Sequence, residues 1–229
     1  MTLRNFGVSD QMEEELQIEH RYLTLRTTEL QARLRFRSKL FTRMRNWMAN
    51  NEFIDVETPT LIRRTPGGAR EFPVATKHKG QFYSLAQSPQ ILKQLLMVGG
   101  MDRYYQIARC YRDEKSKGDR QPEFTQLDIE CSFTTRENIM ALVEDMLKSV
   151  LNVEDIEKFP IITYEEAMAK YNTDKPDVNG FIWVVDFPLF TKCDDGSFES
   201  AHHPFTQPKD EDYVYSCPEK VAKLIFEII

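Results

Sequence analysis

From Phe124 to Phe133 the character of the side chain alternates almost residue by residue: Thr125, Leu127, Ile129, Cys131 and Phe133 fall to one side, Gln126, Asp128 and Glu130 to the other. A strand sends successive side chains to opposite faces, so this stretch predicts a strand with one core face and one polar row. Tyr104 to Tyr111 is equally rich in aromatic and β-branched residues, and the charged segment Arg112 to Glu123 lies between the two. They read as an antiparallel hairpin with a long loop. Three polar residues in a row on a mid-sheet strand are either an ordinary solvated face or the floor of a site.

A strand with one apolar face needs a layer behind it, and the chain offers helices on both sides of the hairpin. Thr28 followed by Gln31 predicts a capping-box start, and Leu30, Leu34, Phe41, Met44 and Met48 then recur at helical spacing as far as Asn50. Thr135 to Leu151 is a second amphipathic helix and Thr163 to Tyr171 a short third. Phe53 to Val56 leads into Thr58-Pro59, where Pro59 cannot donate to a ladder and belongs at an edge, a strand end or an interface. Gln81 to Leu85 is a short strand. Ser88-Pro89 then opens a helix with Ser88 as N-cap, with Ile91, Leu92, Leu95 and Leu96 on its buried face and Lys93 off that face. Phe181 to Val185 is a buried strand, and Asp186 to Thr206 is loop-rich and contains Ala201-His202-His203-Pro204.

Composition closes off several classes. With 229 residues, 41% apolar and 29% charged, and only 9 Gly and 11 Pro, the chain can bury a sizeable core. Its longest apolar runs, Leu95 to Val98 and Phe181 to Val185, are far below the roughly 18 residues of a membrane span. Cysteines at 110, 131, 193 and 217 show no Cys-x-x-Cys pair and no nearby histidine at zinc spacing, so no metal site is expected. The net charge of −6 is uneven: sixteen acidic against seven basic side chains follow residue 150, which leaves the first 150 residues at +3. Eight of the basic ones lie between His20 and Met48, either a solvated helix face or a field that attracts phosphate. Met1 to Glu19 carries Asp10 and Glu13 to Glu15, unlike an organelle transit peptide.

The hairpin loop supplies the chemistry. Guanidinium suits a phosphate, carboxylates suit an ammonium, and an aromatic ring can stack on a base, so Arg112, Asp113, Glu114, Gln121 and Phe124 beside the row Gln126, Asp128 and Glu130 could hold a nucleotide next to an amino acid. Neither a P-loop nor a Rossmann glycine turn is present. "RYYQIARCYRDE" followed by "DRQPEFTQLDIE" resembles the second signature motif of class II aminoacyl-tRNA synthetases in its aspartyl form, and "FIDVETPTL" resembles the first. "FYSLAQSPQILKQLLM", "YNTDKPD", "WVVDFPLF" and "HHPFTQPKD" are also similar to bacterial and mitochondrial aspartyl-tRNA synthetases, over about residues 20 to 212. "TPGGA" is similar to the mitochondrial version, since bacterial members usually carry Glu where Gly67 stands.

The resemblance implies an α+β fold, an antiparallel β-sheet flanked by helices, and aspartate-tRNA ligase activity: aspartate and ATP give aspartyl-adenylate and pyrophosphate, then aspartyl transfer to tRNA. It assigns Arg112 to the ATP α-phosphate as the catalytic cation, Asp113 to the same ATP site, Glu114 to the adenine edge, Gln121 to ATP and Phe124 to stacking on adenine. Aspartate falls to Ser88, Gln90, Lys93 and Asp128, with His202 and His203 on a loop over it. Mg²⁺ is implied with ATP, its family ligand lying beyond the chain. A homodimer through the first motif and a mitochondrial matrix location follow by resemblance, with the cytoplasm as the alternative.

In domain terms the expectation is a lead-in remnant over 1–19, a catalytic core over 20–177, and its continuation over 178–229 after a missing inserted domain. The anticodon-reading barrel and the third motif are absent from the sequence, so the core is expected to be incomplete at the C-terminus and inactive alone. The alternatives are a non-catalytic dimerising module and, ranked below it, a tRNA-independent enzyme making asparagine through the same adenylate.

Overall fold

The computed structural model describes residues 14–65, 70–114, 120–153, 158–193, 195–201, 208 and 226–228. Two short helices, α1 (Glu14–Glu19) and α2 (Arg21–Thr24), lead into the long α3 (Thr28–Asn50). Four short strands follow, β1 (Ile54–Asp55), β2 (Leu61–Ile62), β3 (Pro73–Ala75) and β4 (Phe82–Leu85), then α4 (Gln90–Val98). Next come the long pair β5 (Arg103–Tyr111) and β6 (Glu123–Cys131), then α5 (Arg136–Leu151), β7 (Ile161–Thr163), α6 (Tyr164–Tyr171) and β8 (Trp183–Val185). A small hairpin, β9 (Phe190–Lys192) and β10 (Phe198–Ser200), and β11 (Phe226–Ile228) complete the order.

The fold is α+β and is organised by the β5–β6 hairpin, whose ladder runs from Arg103↔Cys131 to Tyr111↔Glu123. Paired residues share a face, so Tyr105, Ile107, Leu127, Ile129 and Cys131 look one way. On that side Tyr105 meets Met48 near the end of α3, Phe53 just before β1, and Met146 and Val150 from α5, with Leu127, Ile129 and Cys131 packed against them. Each such fully buried side chain is worth about 1.5–3 kcal/mol relative to exposure, which is what holds two helices against one face. Arg43 adds a cross-link, donating from Nη1 to the Val150 carbonyl at 3.0 Å.

A second sheet, in the order β7-β8-β11, is built around the wholly buried Trp183, Val184 and Val185. Trp183 donates from Nε1 to Glu144 of α5 at 2.7 Å, and Glu144 also faces Lys148 at 3.7 Å. Thus α5 is packed against both sheets.

The expected α+β fold with an antiparallel sheet flanked by helices holds at the central β5–β6 pair, with parallel neighbours added at its edge and in the second sheet, where β1 runs parallel to β5 and β7 parallel to β8. Parallel neighbours need a crossover, and α6 provides it between β7 and β8. Several expectations need correcting. Helix α3 has the expected bounds but no capping box: Thr27 is the N-cap and makes no side-chain cap bond. Only its C-terminal half packs, since residues 31–39 are all exposed, Leu34 at 52% and Phe36 at 59%. The strand β6 stops at Cys131, and Phe133, at φ +52° and fully exposed, is not a core residue. The stretch after Asp186 is not merely loop, for β9 and β10 pair across a turn in which Gly196 takes φ +84°. By contrast the short helix after β7 starts with the full reciprocal cap that α3 lacks: Thr163 Oγ1 accepts from the Glu166 backbone, and Thr163 N donates to the Glu166 carboxylate at 2.7 Å.

Candidate functional site

The face of the hairpin opposite the core carries Tyr104, Gln106, Ala108 and Cys110 from β5 against Glu130, Asp128, Gln126 and Phe124 from β6, in that pairing order. The polar row of β6 is therefore real and is matched by a second partly polar row. Helix α4 lies across it and inserts Lys93, whose ammonium sits 2.5 Å from Asp128 Oδ1 and 3.1 Å from Glu130 Oε2. The side chains of Lys93 and Asp128 retain only 12% and 7% of their exposure. This reverses the expectation that Lys93 stands off the buried face: Leu95, expected inside, is exposed, and the sheet-facing side of α4 includes the lysine. The cause is electrostatic. Two carboxylates on the half-buried floor hold a cation more strongly than they would a leucine, because an unpaired charge there costs several kcal/mol.

Burial alone would push the Lys93 ammonium down, but the charges and hydrogen bonds of Asp128 and then Glu130 outweigh it and raise its pKa above the ordinary value. Burial, reinforced by the Asp128 charge, raises the Tyr104 hydroxyl and pushes the Cys110 thiol up to about 11. The floor thus holds a protonated lysine, two acidic side chains, a neutral phenol and a neutral thiol, with one net negative charge among them. That balance favours an ammonium group arriving beside Asp128.

The expected nucleotide residues gather at the open end of the same hairpin. Arg112 follows β5 directly, its backbone N–H donating to the Pro122 carbonyl at 2.9 Å across the strand ends. Its guanidinium carbon lies 5.1 Å above the ring centroid of Phe124, the first polar-face residue of β6. Asp113 is held to the segment before β3: its backbone N–H donates to the Arg70 carbonyl at 2.9 Å, and Arg70 faces its carboxylate at 3.7 Å. Glu114 is exposed and 3.8 Å from Arg120, and Gln121 is exposed beside Pro122. A planar cation against a ring at the edge of a sheet suits a flat aromatic group and a phosphate together.

Ser88 and Gln90 stand where α4 begins. Pro89 rather than Ser88 is the N-cap, one residue later than expected, although Ser88 Oγ still accepts from the Gln90 backbone N–H at 3.2 Å. Structure therefore brings Lys93 and Asp128 together, and brings Arg112 to Phe124. Four residues of strand, about 13 Å, separate Phe124 from Asp128 along β6. His202 and His203 lie outside the described residues, as does Gly67. Glu130, expected in the polar row but given no role of its own there, joins Lys93, and Gln106 is a floor residue that sequence reasoning missed; the hairpin register, which sets Gln106 opposite Asp128, is the signal that finds it. Among the described residues no group of three His, Cys, Asp or Glu side chains could hold a metal ion, so the implied Mg²⁺ finds no fitted site in them. No helix among them is long and apolar enough to cross a membrane.

Comparison with known proteins gives this geometry a context. The model of the family described as "tRNA synthetases class II (D, K and N)" matches residues 13–229. The mitochondrial aspartate–tRNA ligase of Homo sapiens is 49% identical over 193 residues, covering 82% of this chain and 30% of that protein. The mitochondrial enzyme of Dictyostelium discoideum is 50% identical over 183 residues, covering 78% and 26% respectively. The aspartate–tRNA(Asp/Asn) ligase of Legionella pneumophila (strain Corby) is 46% identical over 194 residues, covering 82% and 33%. The chain thus spans about a third or less of the length of these relatives. Among solved structures, the asparaginyl-tRNA synthetase of Pyrococcus horikoshii complexed with asparaginyl-adenylate superposes with a TM-score of 0.70 at 21% identity, over 97% of this chain and 57% of that one. That likeness speaks for the fold.

Proposed function

We propose, since the chain belongs to the class II tRNA synthetases of the D, K and N group, that its site serves the ATP-dependent activation of aspartate and the transfer of aspartate to tRNA, the activity of an aspartate–tRNA ligase. An oxygen of the aspartate α-carboxylate attacks the α-phosphorus of ATP, the bond to the β-phosphate oxygen breaks, and pyrophosphate leaves. A ribose hydroxyl at the tRNA 3′ end then attacks the adenylate carbonyl carbon, and AMP leaves. Neither step needs a strong base; both need fixed geometry and charge.

The observation that carries this reading is the Lys93–Asp128–Glu130 cluster on the same hairpin face as the Arg112–Phe124 stack. Lys93 takes the side-chain carboxylate of aspartate and Asp128 its ammonium, with Ser88 and Gln90 closing the amino-acid side and His202 and His203 assigned to it by resemblance. Phe124 stacks on adenine, Glu114 meets its edge, Arg112 takes the α-phosphate, and Asp113 and Gln121 complete the ATP side. Residues 20–177 and 178–229 act as two segments of one catalytic core. The names of two of these relatives, both mitochondrial aspartate–tRNA ligases, favour a mitochondrial setting, with the cytoplasm as the alternative.

The test is calorimetric titration with ATP and, separately, with aspartate. Weak ATP binding abolished by Arg112→Ala is expected; equal binding by both proteins refutes the nucleotide assignment. A second reading, a dimerising module without catalysis, is favoured by the bare apolar side chains Leu34 and Phe36 on α3. Light scattering tests the shared element: a homodimer mass is expected under either reading, and a monomer at tens of micromolar removes the second.

A further inference from the structure

The amide of Gln106 is the least explained polar group on the site floor. The residue is 8% exposed, and its Oε1 receives three donors: the Thr58 hydroxyl at 2.8 Å, the Tyr104 hydroxyl at 2.8 Å and the Thr58 backbone N–H at 3.3 Å. Hydroxyls can turn to accept, but a backbone N–H cannot. The Thr58 N–H therefore fixes which end of the amide is oxygen. The opposite end, Nε2, carries two N–H groups that find no acceptor among the described residues. Nε2 is not sealed inside the protein, since among the described residues the fully buried side-chain polar atom without a partner is Arg136 Nη1; it is a donor left open on the floor, and three bonds to Oε1 hold it in place.

Its position indicates what it awaits. Gln106 pairs directly with Asp128 across the ladder, on the face where α4 inserts Lys93. Lys93 has three N–H donors, of which Asp128 and Glu130 take two. A carboxylate arriving at this floor meets one remaining ammonium donor and a net negative charge, too little to satisfy two oxygens. A neutral, immobilised donor beside the lysine corrects that shortfall without adding charge.

Resting on the aspartate-activating reading above, we propose that Gln106 is a further binding residue of the amino-acid pocket, its amide nitrogen donating to a carboxylate oxygen of bound aspartate. Thr58 and Tyr104 are positioning residues for it, which ties the Thr58-Pro59 segment to amino-acid recognition.

Gln106→Glu keeps an oxygen for Thr58 and Tyr104 and replaces the donor by a second carboxylate oxygen. Aspartate binding to the whole chain, measured by calorimetry or saturation-transfer NMR, should weaken about tenfold or more, while ATP binding changes less than twofold. Thr58→Val, which unlocks the amide without touching it, should weaken aspartate several-fold and spare ATP, and serves if the first variant does not fold. If wild type binds no aspartate, the functional reading fails and this inference with it. If wild type binds and both variants bind equally well, or lose ATP and aspartate in parallel, only the role of Gln106 is refuted.

Discussion

Replacing Lys93 with methionine removes the cation that, among the described residues, faces two carboxylates on a largely buried floor, while keeping an unbranched apolar stem of similar reach. With Asp128 at 7% and Glu130 at 25% side-chain exposure, the orphaned charges are poorly hydrated. Breaking a buried pair by deleting one partner costs about 3–5 kcal/mol, so Lys93→Met should lose an amount in that range. The reverse deletion is milder. Asp128→Asn leaves Lys93 with Glu130 at 3.1 Å and should cost roughly 1–3 kcal/mol. Combining Lys93→Met with Asp128→Leu should recover part of the loss, since matched apolar replacement of a buried pair is often neutral. Urea titration followed by tryptophan fluorescence reads all three as midpoint shifts at constant slope. A Lys93→Met cost below about 1 kcal/mol, or one smaller than that of Asp128→Asn, refutes the claim that this lysine compensates two acids at once.

Three further outcomes follow from the same structure. Because Lys93 titrates above the ordinary lysine value of 10.5 in the folded chain, the stability owed to its charge is complete below that value and declines as pH rises through the raised pKa; Lys93→Met should flatten the alkaline limb of a stability–pH curve. Cys110, wholly buried and with its thiol pushed up to about 11, should resist iodoacetamide at pH 8 in the native chain and react in urea, as read by mass spectrometry. Thr163→Ala should cost about 1 kcal/mol by removing the hydroxyl that accepts from the Glu166 backbone N–H, while the reciprocal bond from the residue 163 backbone survives, whereas Thr163→Ser should stay within a few tenths, both measurable by thermal unfolding.

What the sequence reveals depends on how far an element's environment repeats along it. The alternation of β6 is long enough to place Asp128 and Glu130 on one face, and the register then places Gln106 opposite Asp128. The bounds of α3 are legible for the same reason, but its exposed half is not: Leu34 and Phe36 fit the helical pattern yet pack on nothing among the described residues. The inward turn of Lys93 is not legible in the hydropathy of its helix face, because the carboxylates that cause it lie some thirty-five residues away. Strands β1, β2, β3 and β7, two or three residues each, are too short to show a period and exist only through their partners. The Thr28 cap failed on one residue of phase, a distinction set by backbone angles that composition does not encode.

The hairpin that carries the site also sets the order in which the chain can find its shape. About eleven residues separate Tyr111 from Glu123, whereas about eighty-five separate the end of α3 from the start of α5, the two helices that cover its back. Loop-closure entropy makes the distant docking costlier by roughly 2 kcal/mol, so the β5–β6 ladder belongs to the early, local part of folding and the helical backing to the late part. Substitutions in the ladder should then slow refolding, while those at Met48 or Val150 should mainly speed unfolding. A binding floor formed before its core is one whose Asp128–Gln106 spacing is fixed by backbone pairing and not by the quality of packing behind it.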